Sequence, residues 1–144
     1  MQAMEISRSA LDVEWRRLEV ISENLANVNS TRPAGGALYQ ARHLLSGPRA
    51  DFSRYLGGTS HADLGKLDGV AVTGIAVDNA PPRLVHEPGN PLADANGMVA
   101  YPSIDHAGEM LAMVQTSRAY EANIVAMNMA RQMYSKALEL GRHS

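Results

Sequence analysis

The sequence predicts an α+β fold, with long N- and C-terminal helices pairing as a coiled-coil layer and a small β-rich, loop-containing middle segment. Apolar residues recur at alternating spacings of three and four at both ends of the chain, which is the pattern of amphipathic helices that pair. The Gly and Pro residues concentrate between the two ends, and only Gly108, Gly141 and Pro102 lie outside residues 32–99. A chain of 144 residues has room for one domain with a modest core.

Residues 1–31 are predicted to form the N-terminal helix. No Pro or Gly interrupts this segment, and the Arg32-Pro33 step followed by Gly35-Gly36 predicts where it stops. The mainly apolar seam of this helix consists of Met4, Ser7, Leu11, Glu14, Leu18, Ile21, Leu25 and Val28.

Residues 105–144 are predicted to form the C-terminal helix, with Asp105 as its N-cap and Gly141 as its C-terminal cap. A second line of small and soft residues runs beside the seam, so this helix needs more than one neighbour. The seam itself consists of Met110, Met113, Ser117, Tyr120, Ile124, Met127, Arg131, Tyr134 and Leu138.

The middle segment, residues 32–104, is predicted to contain short strands. Residues 69–77, 83–86 and 98–101 are rich in β-prone residues, and turn residues separate them, including the Asn96-Gly97 dipeptide. Residues 41–66 carry no clear periodicity and are predicted to form a variable loop.

Composition excludes several classes of protein. The net charge of −2 gives no electrostatic reason to expect nucleic acid as a partner. The chain has no Cys, which removes disulfides and thiol nucleophiles. Charged residues interrupt the N-terminus, so no cleavable signal peptide is visible, and no stretch is apolar for long enough to insert into a membrane.

Catalytic chemistry has no support in the sequence. The five His residues are scattered without metal-ligand spacing, and neither a nucleophile elbow nor a phosphate-binding loop is present. We therefore expect no enzyme activity, no catalytic or metal-binding residues and no cofactor. A small ligand-binding or catalytic domain with helical ends stays as an alternative, which would require a convergent polar pocket.

Some residues admit two interpretations. Trp15 beside the N-terminal seam is a packing residue or an interface residue, and Arg118 with Glu121 is a local pair or faces a neighbouring subunit. Asn27 and Asn29 either fray the end of the helix or, together with Asn24, bond to an adjacent chain. The apolar seams offset only part of the entropy of helix formation, so we expect the terminal helices to be marginal alone and ordered by neighbouring copies.

Four sequence segments carry a resemblance to a known family, over about residues 1–39 and 67–142. They are Arg17 to Thr31 with its Asn24-Leu25-Ala26-Asn27 string, Pro81-Pro82-Arg83-Leu84-Val85, Asp94-Ala95-Asn96-Gly97, and Ser117-Arg118-Ala119-Tyr120-Glu121-Ala122-Asn123. In these segments the chain resembles the proximal-rod proteins of the bacterial flagellar basal body, which are flagellar axial proteins. Another axial subunit of the rod or hook is the nearest alternative, and the Pro-Pro-Arg-Leu-Val segment distinguishes the two.

The resemblance implies a structural subunit of the proximal rod that self-assembles through its terminal helices into a torque-transmitting helical tube. It also implies type III export without a cleaved signal and a location in the periplasmic rod. The implied partners are other copies of the chain, other proximal and distal rod subunits, the rod-base adaptor and membrane ring, and the type III export apparatus. The implied subunit-interface residues are Leu11, Leu18, Ile21, Asn24, Leu25, Asn27, Asn29, Arg118, Tyr120, Glu121, Asn123, Ile124, Met127, Tyr134 and Leu138.

Overall fold

The computed structural model describes residues 2–31, 36–49 and 69–142 and has the predicted α+β fold. In the described residues, the chain forms a long helix, then four short strands, then a second long helix. The elements are α1 (Gln2–Asn27), β1 (Arg42–Pro48), β2 (Val70–Val77), β3 (Arg83–His86), β4 (Met98–Tyr101) and α2 (His106–Arg142).

The chain divides into two compact units, and each helix contributes to both. The first unit comprises Met1–Arg16, Leu45–Gly74 and Thr116–Ser144, and the second comprises Arg17–Leu44 and Ile75–Gln115. In the first unit, Val13 and Thr116 are among the buried residues. The core of the second unit contains Val20, Ile21, Asn24, Ala41 and Val99.

Helix α1 buries a face that overlaps the predicted seam only in part. Ser7 and Ile21 of the seam are buried, but its leucines, Leu11, Leu18 and Leu25, are only half-buried. The other buried residues, Ser9, Val13, Val20 and Asn24, follow one another at spacings of four, seven and four. Two stripes with the same helical period run along this helix, and periodicity alone cannot rank them. The position of the strands relative to the helix decides which stripe is covered.

Helix α2 begins at the residue after Asp105, as the predicted N-cap requires, and the first intrahelical bond runs from Glu109 N–H to Asp105 C=O at 2.9 Å. The carboxylate of Asp105 lies over Gly108, where a Cβ would come within 2.6 Å of Oδ2. The predicted cap at Gly141 is wrong, because the helix continues through this residue to Arg142. A glycine near a helix end costs only about 1 kcal/mol relative to alanine and does not by itself stop the helix.

Exposure changes along α2. Met113, Tyr120, Ile124 and Met127 are half-buried, in agreement with the predicted seam, but residues 131–141 are exposed throughout. Tyr134 is 43% exposed and Leu138 is 54% exposed, although both continue the seam. The last three turns of the seam are therefore left exposed by the described part of the chain.

Strand β1 corrects the prediction of a loop over residues 41–66. Its sequence, RHLLSGP, contains no β-branched or aromatic residue, so local propensity gives no sign of it. It pairs with β2 in a two-stranded sheet, and bonds from Asp78 N–H to Ala41 C=O and from Arg49 N–H to Gly69 C=O mark an antiparallel arrangement. The remainder of the predicted loop, residues 50–66, lies outside the described residues.

Strands β3 and β4 form a second antiparallel sheet, with Arg83 opposite Tyr101 and His86 opposite Met98. Both occupy the residues that the sequence predicts. The connection ends in a turn in which Asp94 Oδ1 accepts bonds from Asn96 N–H at 2.8 Å and Met98 N–H at 2.9 Å. Gly97, with φ of +72°, supplies the left-handed conformation that this turn requires.

In the described residues, neither helix is apolar over enough of its length to cross a membrane.

Candidate functional site

Asn24 is the most heavily bonded buried side chain in the second unit. Its side chain is fully buried, and its Nδ2 donates to the C=O of Arg42 at 2.8 Å and to Oε1 of Glu109 at 3.0 Å. Its Oδ1 accepts from the hydroxyl of Tyr39 at 2.8 Å and from the N–H of Arg42 at 3.0 Å. We call Asn24, Tyr39, Arg42 and Glu109 the Asn24 cluster.

The Asn24 cluster satisfies every hydrogen-bonding group of the Asn24 side-chain amide. An asparagine side chain has two donor hydrogens and an oxygen that accepts two bonds, and all four are used here. An amide buried without such partners would cost about 1–3 kcal/mol on the evidence of protein variants. In the single chain, the bonding capacity of Asn24 is taken up within its own chain, and its predicted bond to a neighbouring subunit stays a prediction.

Three parts of the chain meet at the Asn24 cluster. Asn24 lies near the end of α1, and Glu109 lies in the first turn of α2. Tyr39 lies in the segment that leads into β1, and Arg42 is the first residue of β1. A carboxylate in the first turn of a helix also interacts favourably with the positive end of the helix dipole. The cluster joins both helices to the start of the first sheet.

The pKa of the Tyr39 hydroxyl is raised by its surroundings. Burial raises the pKa of the Tyr39 hydroxyl, the Arg42 guanidinium opposes this shift, and the Glu23 and Glu109 carboxylates add to it. The guanidinium lies 5.6 Å from the centre of the Tyr39 ring and also approaches Oε2 of Glu23 at 3.5 Å. Because the side chains of Arg42 and Glu23 are about half exposed, that ion pair contributes at most about 1 kcal/mol.

Asn27 and Asn29 differ from Asn24. The Nδ2 of Asn27 donates to the C=O of Glu23 at 2.8 Å, so this side chain bonds to the last turn of its own helix. The hydroxyl of Ser30 donates to the C=O of Asn27 at 2.9 Å and satisfies a carbonyl that the helix leaves open. Asn29 is exposed in the turn that follows. Among the described residues, Asn24 is the one of the three that reaches across to other elements.

The predicted interface residues lie on α1, in the turn after it and on α2, and their exposure differs. Ile21 is buried, as is Asn24. The half-buried members are Leu11, Leu18, Leu25, Asn27, Tyr120, Asn123, Ile124 and Met127. The exposed members are Asn29, Arg118, Glu121, Tyr134 and Leu138.

Trp15 has the predicted packing role, and its interface role stays a prediction. Its ring centre lies 6.3 Å from that of Tyr120 with an interplanar angle of 49°, which is an aromatic contact between α1 and α2 within the first unit. The Trp15 residue is nevertheless 55% exposed. It packs on one side and presents an apolar surface on the other.

Sequence reasoning missed three members of the Asn24 cluster. Tyr39 and Arg42 follow a segment without periodicity, and Glu109 looks like an ordinary acidic residue in a first helical turn. The one signal that points to the cluster is Asn24 itself, since asparagine is unfavourable inside a helix unless its amide is bonded.

The terminal segments match two protein-family descriptions. Residues 4–33 match the family described as "Flagella basal body rod protein", and residues 95–140 match "Flagellar basal body rod FlgEFG protein C-terminal". The two matched segments contain α1 from its first turns onward and nearly all of α2, together with the Asn24 and Glu109 positions.

Curated relatives from distant bacteria align along almost the whole chain. The flagellar basal-body rod protein FlgC of Salmonella typhimurium is 37% identical over 142 residues, covering 99% of this chain and 98% of the relative. The protein of the same name from Bacillus subtilis is 35% identical over 145 residues and covers 97% of each chain. That from Borreliella burgdorferi is 31% identical over 144 residues, covering 96% and 95%. With identity of this level along its full length, the chain belongs to the FlgC family of flagellar basal-body rod proteins.

Proposed function

We propose that this chain, a structural rod subunit by its family, polymerises through α1 and α2 into the torque-transmitting helical tube of the proximal rod. Family membership implies assembly with other rod components. The proposal adds copies of the same chain, other proximal and distal rod subunits, the rod-base adaptor and the membrane ring as neighbours. It also adds export by the type III apparatus without a cleaved signal and a periplasmic position.

One observation carries the proposal: α2 exposes more large apolar side chains than an isolated subunit needs. Nine of them are between 43% and 73% exposed on this single helix. Isolated exposed apolar residues are ordinary, but a single helix that exposes this many large apolar side chains indicates an interaction site. The nine are Met110, Leu111, Val114, Val125, Met129, Met133, Tyr134, Leu138 and Leu140.

We propose that residues 1–31 and 105–144 act as axial helices around the middle segment 32–104, and that the three parts form one polymerisation unit. In this arrangement the half-buried Leu11, Leu18 and Leu25 face α2 of the same or a neighbouring copy. The exposed Arg118 and Glu121 face neighbours. Ile21 and Asn24 are buried inside the subunit, so they act by shaping the surface rather than by direct contact.

The test is a charge placed in the proposed interface. Leu138→Asp puts a carboxylate where an assembled neighbour would bury an apolar side chain, and Gln132→Asp puts the same group at an exposed position of the same helix that is already polar. Each variant replaces the native protein in the flagellated bacterium, and export, swimming and the presence of rods in isolated basal bodies are recorded. We expect both variants to be exported, Gln132→Asp to swim and Leu138→Asp to lack complete rods. Normal rods in the Leu138→Asp strain would contradict the proposal.

A second candidate is another axial subunit, since the family description matched by residues 95–140 names FlgE, FlgF and FlgG. The end-to-end relatives named FlgC favour the proximal rod. Restoring swimming to a strain that lacks FlgC, with no effect in strains that lack the other axial proteins, would separate the two.

A further inference from the structure

We infer that the Asn24 cluster is a register-setting contact, which selects one axial position of α2 against α1 in the second unit. The inference concerns the folded chain itself and does not depend on assembly into a rod. It begins from the four hydrogen bonds of Asn24, which connect α1, the segment before β1, the first residue of β1 and α2.

Apolar contacts alone would specify the register weakly. The buried Val13 and Val20 lie seven residues apart, as do the half-buried leucines of the seam, so a shift of α1 by seven residues places valine on valine and leucine on leucine. The facing helix is rich in Met and Ala, and methionine adapts to altered surroundings at little cost. Several registers would therefore bury similar apolar area.

The Asn24 cluster removes this degeneracy because its bonds are directional. Two bonds to the backbone of Arg42 and one from Tyr39 hold Asn24 against the start of β1, and the remaining amide hydrogen points to Glu109. A shift of α2 by one turn moves Glu109 by about 5.4 Å, which breaks a bond of 3.0 Å and leaves a buried donor without a partner. A single buried asparagine is known to fix helix register in coiled coils by the same physics.

A leucine at position 24 could not bond to Glu109 and would therefore have no preference for the position of that carboxylate. Glu109→Gln keeps the length of the side chain and an oxygen that accepts the Asn24 hydrogen, whereas Glu109→Ala removes the acceptor. These substitutions separate the directional bond from apolar packing and from the charge of the carboxylate.

The experiment measures register directly in the dilute, full-length chain. The sequence contains no Cys, so cysteines introduced at the exposed Ser22 of α1 and Gln115 of α2 carry the only two spin labels, and both sites lie in the second unit. Pulsed electron paramagnetic resonance then gives the distribution of distances between the labels. Circular dichroism and thermal unfolding establish whether each variant is folded.

We expect one distance in the wild-type background, with any second register disfavoured by about tenfold or more because a bond to a charged group is lost. Asn24→Leu should add a population displaced by about 5 Å, one helical turn, or by a multiple of it. Glu109→Ala should do the same, while Glu109→Gln should keep the single distance. The control Asn128→Leu, which makes the same exchange at an exposed position of α2, should also keep it.

A folded Asn24→Leu chain with a single, unchanged distance would overturn the inference. If that variant does not fold, Glu109→Ala decides in the same way, since a single distance there shows that the bond to Glu109 does not select the register. The outcome is independent of the rod assay, because the labelled chain is measured as a dilute monomer, whereas Leu138→Asp is assessed by rod completion.

Discussion

The hydroxyl oxygen of Ser9 lies 3.1 Å from the backbone nitrogen of Val70, and this bond attaches α1 to the first residue of β2 in the first unit. The same hydroxyl donates to the C=O of Ile6 at 2.7 Å, so it is satisfied in both directions. Gly69 precedes Val70 with φ of +86° and passes so close to α1 that a Cβ would overlap the Ser9 hydroxyl. Two independent constraints therefore require glycine at position 69.

We expect Gly69→Ala to destabilise the chain by about 2 kcal/mol or more, because the left-handed conformation alone costs an alanine about 1–2 kcal/mol and the overlap with Ser9 adds to it. Urea unfolding followed by circular dichroism measures the change. Gly74→Ala is the matched control, since Gly74 lies in β2 with no atom within 4 Å of the added methyl and no positive φ. Equal stabilities of the two variants would refute the prediction.

Asn24→Ala should reduce the free energy of unfolding by about 2–4 kcal/mol, because the buried partners in the Asn24 cluster lose their bonds and a cavity remains. Asn29→Ala, an exposed position in the turn after α1, should change it by less than about 0.5 kcal/mol. Urea unfolding of both variants makes the comparison. A loss at Asn24 no larger than that at Asn29 would show that water replaces the bonds without cost.

Stability should fall in alkali partly through Tyr39. Its pKa is raised from the ordinary value of 10.0, mainly by burial, so the folded chain holds this proton more tightly than the unfolded chain does. The contribution of Tyr39 to the free energy of unfolding is fully present below about pH 10 and is lost as the pH rises through the pKa of Tyr39 in the folded chain. Tyr39→Phe should therefore show a smaller loss of stability between about pH 9 and pH 11 than the wild type.

Tyr101 serves as the internal reference for that measurement. Its pKa is also raised, by burial and by its hydrogen bonds to the Glu87 carboxylate, and it is present in both proteins. Thermal melts across this pH range give the slopes, and the tyrosinate absorbance identifies the ionisation. Identical slopes in wild type and Tyr39→Phe would rule out a contribution from Tyr39.

Helix content should rise with protein concentration. Residues 131–141 of α2 are exposed throughout, so contact with another molecule would bury apolar side chains that the described part of the chain leaves exposed. Circular dichroism and sedimentation measured together from dilute to concentrated protein test this, with Leu138→Asp as the comparison that should associate less. A chain whose helicity is already maximal as a dilute monomer would contradict the expectation that neighbours order the terminal helices.

The terminal helices and the β3–β4 pair are readable from the sequence for local reasons. Helical periodicity, the Asp105 cap and runs of β-prone residues act over a few neighbouring positions, so the elements appear where those signals stand. β1 could not be predicted, because RHLLSGP has no strand propensity of its own and becomes a strand only by pairing with β2.

Of the candidate site, the sequence indicated Asn24 and left its partners open. Tyr39, Arg42 and Glu109 are separated from it by 15, 18 and 85 positions, and no periodic pattern relates residues at such separations. The structure adds four bonds of Asn24 within its own chain, whereas the sequence had indicated only a bond to a neighbour.

By itself, the sequence determined the fold class, the family and the two amphipathic helices, because these depend on residue types at short, regular spacings. Tertiary structure alone decided which stripe of α1 is buried, since Ser9, Val13, Val20 and Asn24 have the same period as the leucine seam. It also decided that Asn24 bonds inward and that Gly69 passes over Ser9. Both features arise where segments distant in sequence come together. There, the direction of hydrogen bonds and the close approach of the backbone decide which residues fit, and helical periodicity does not.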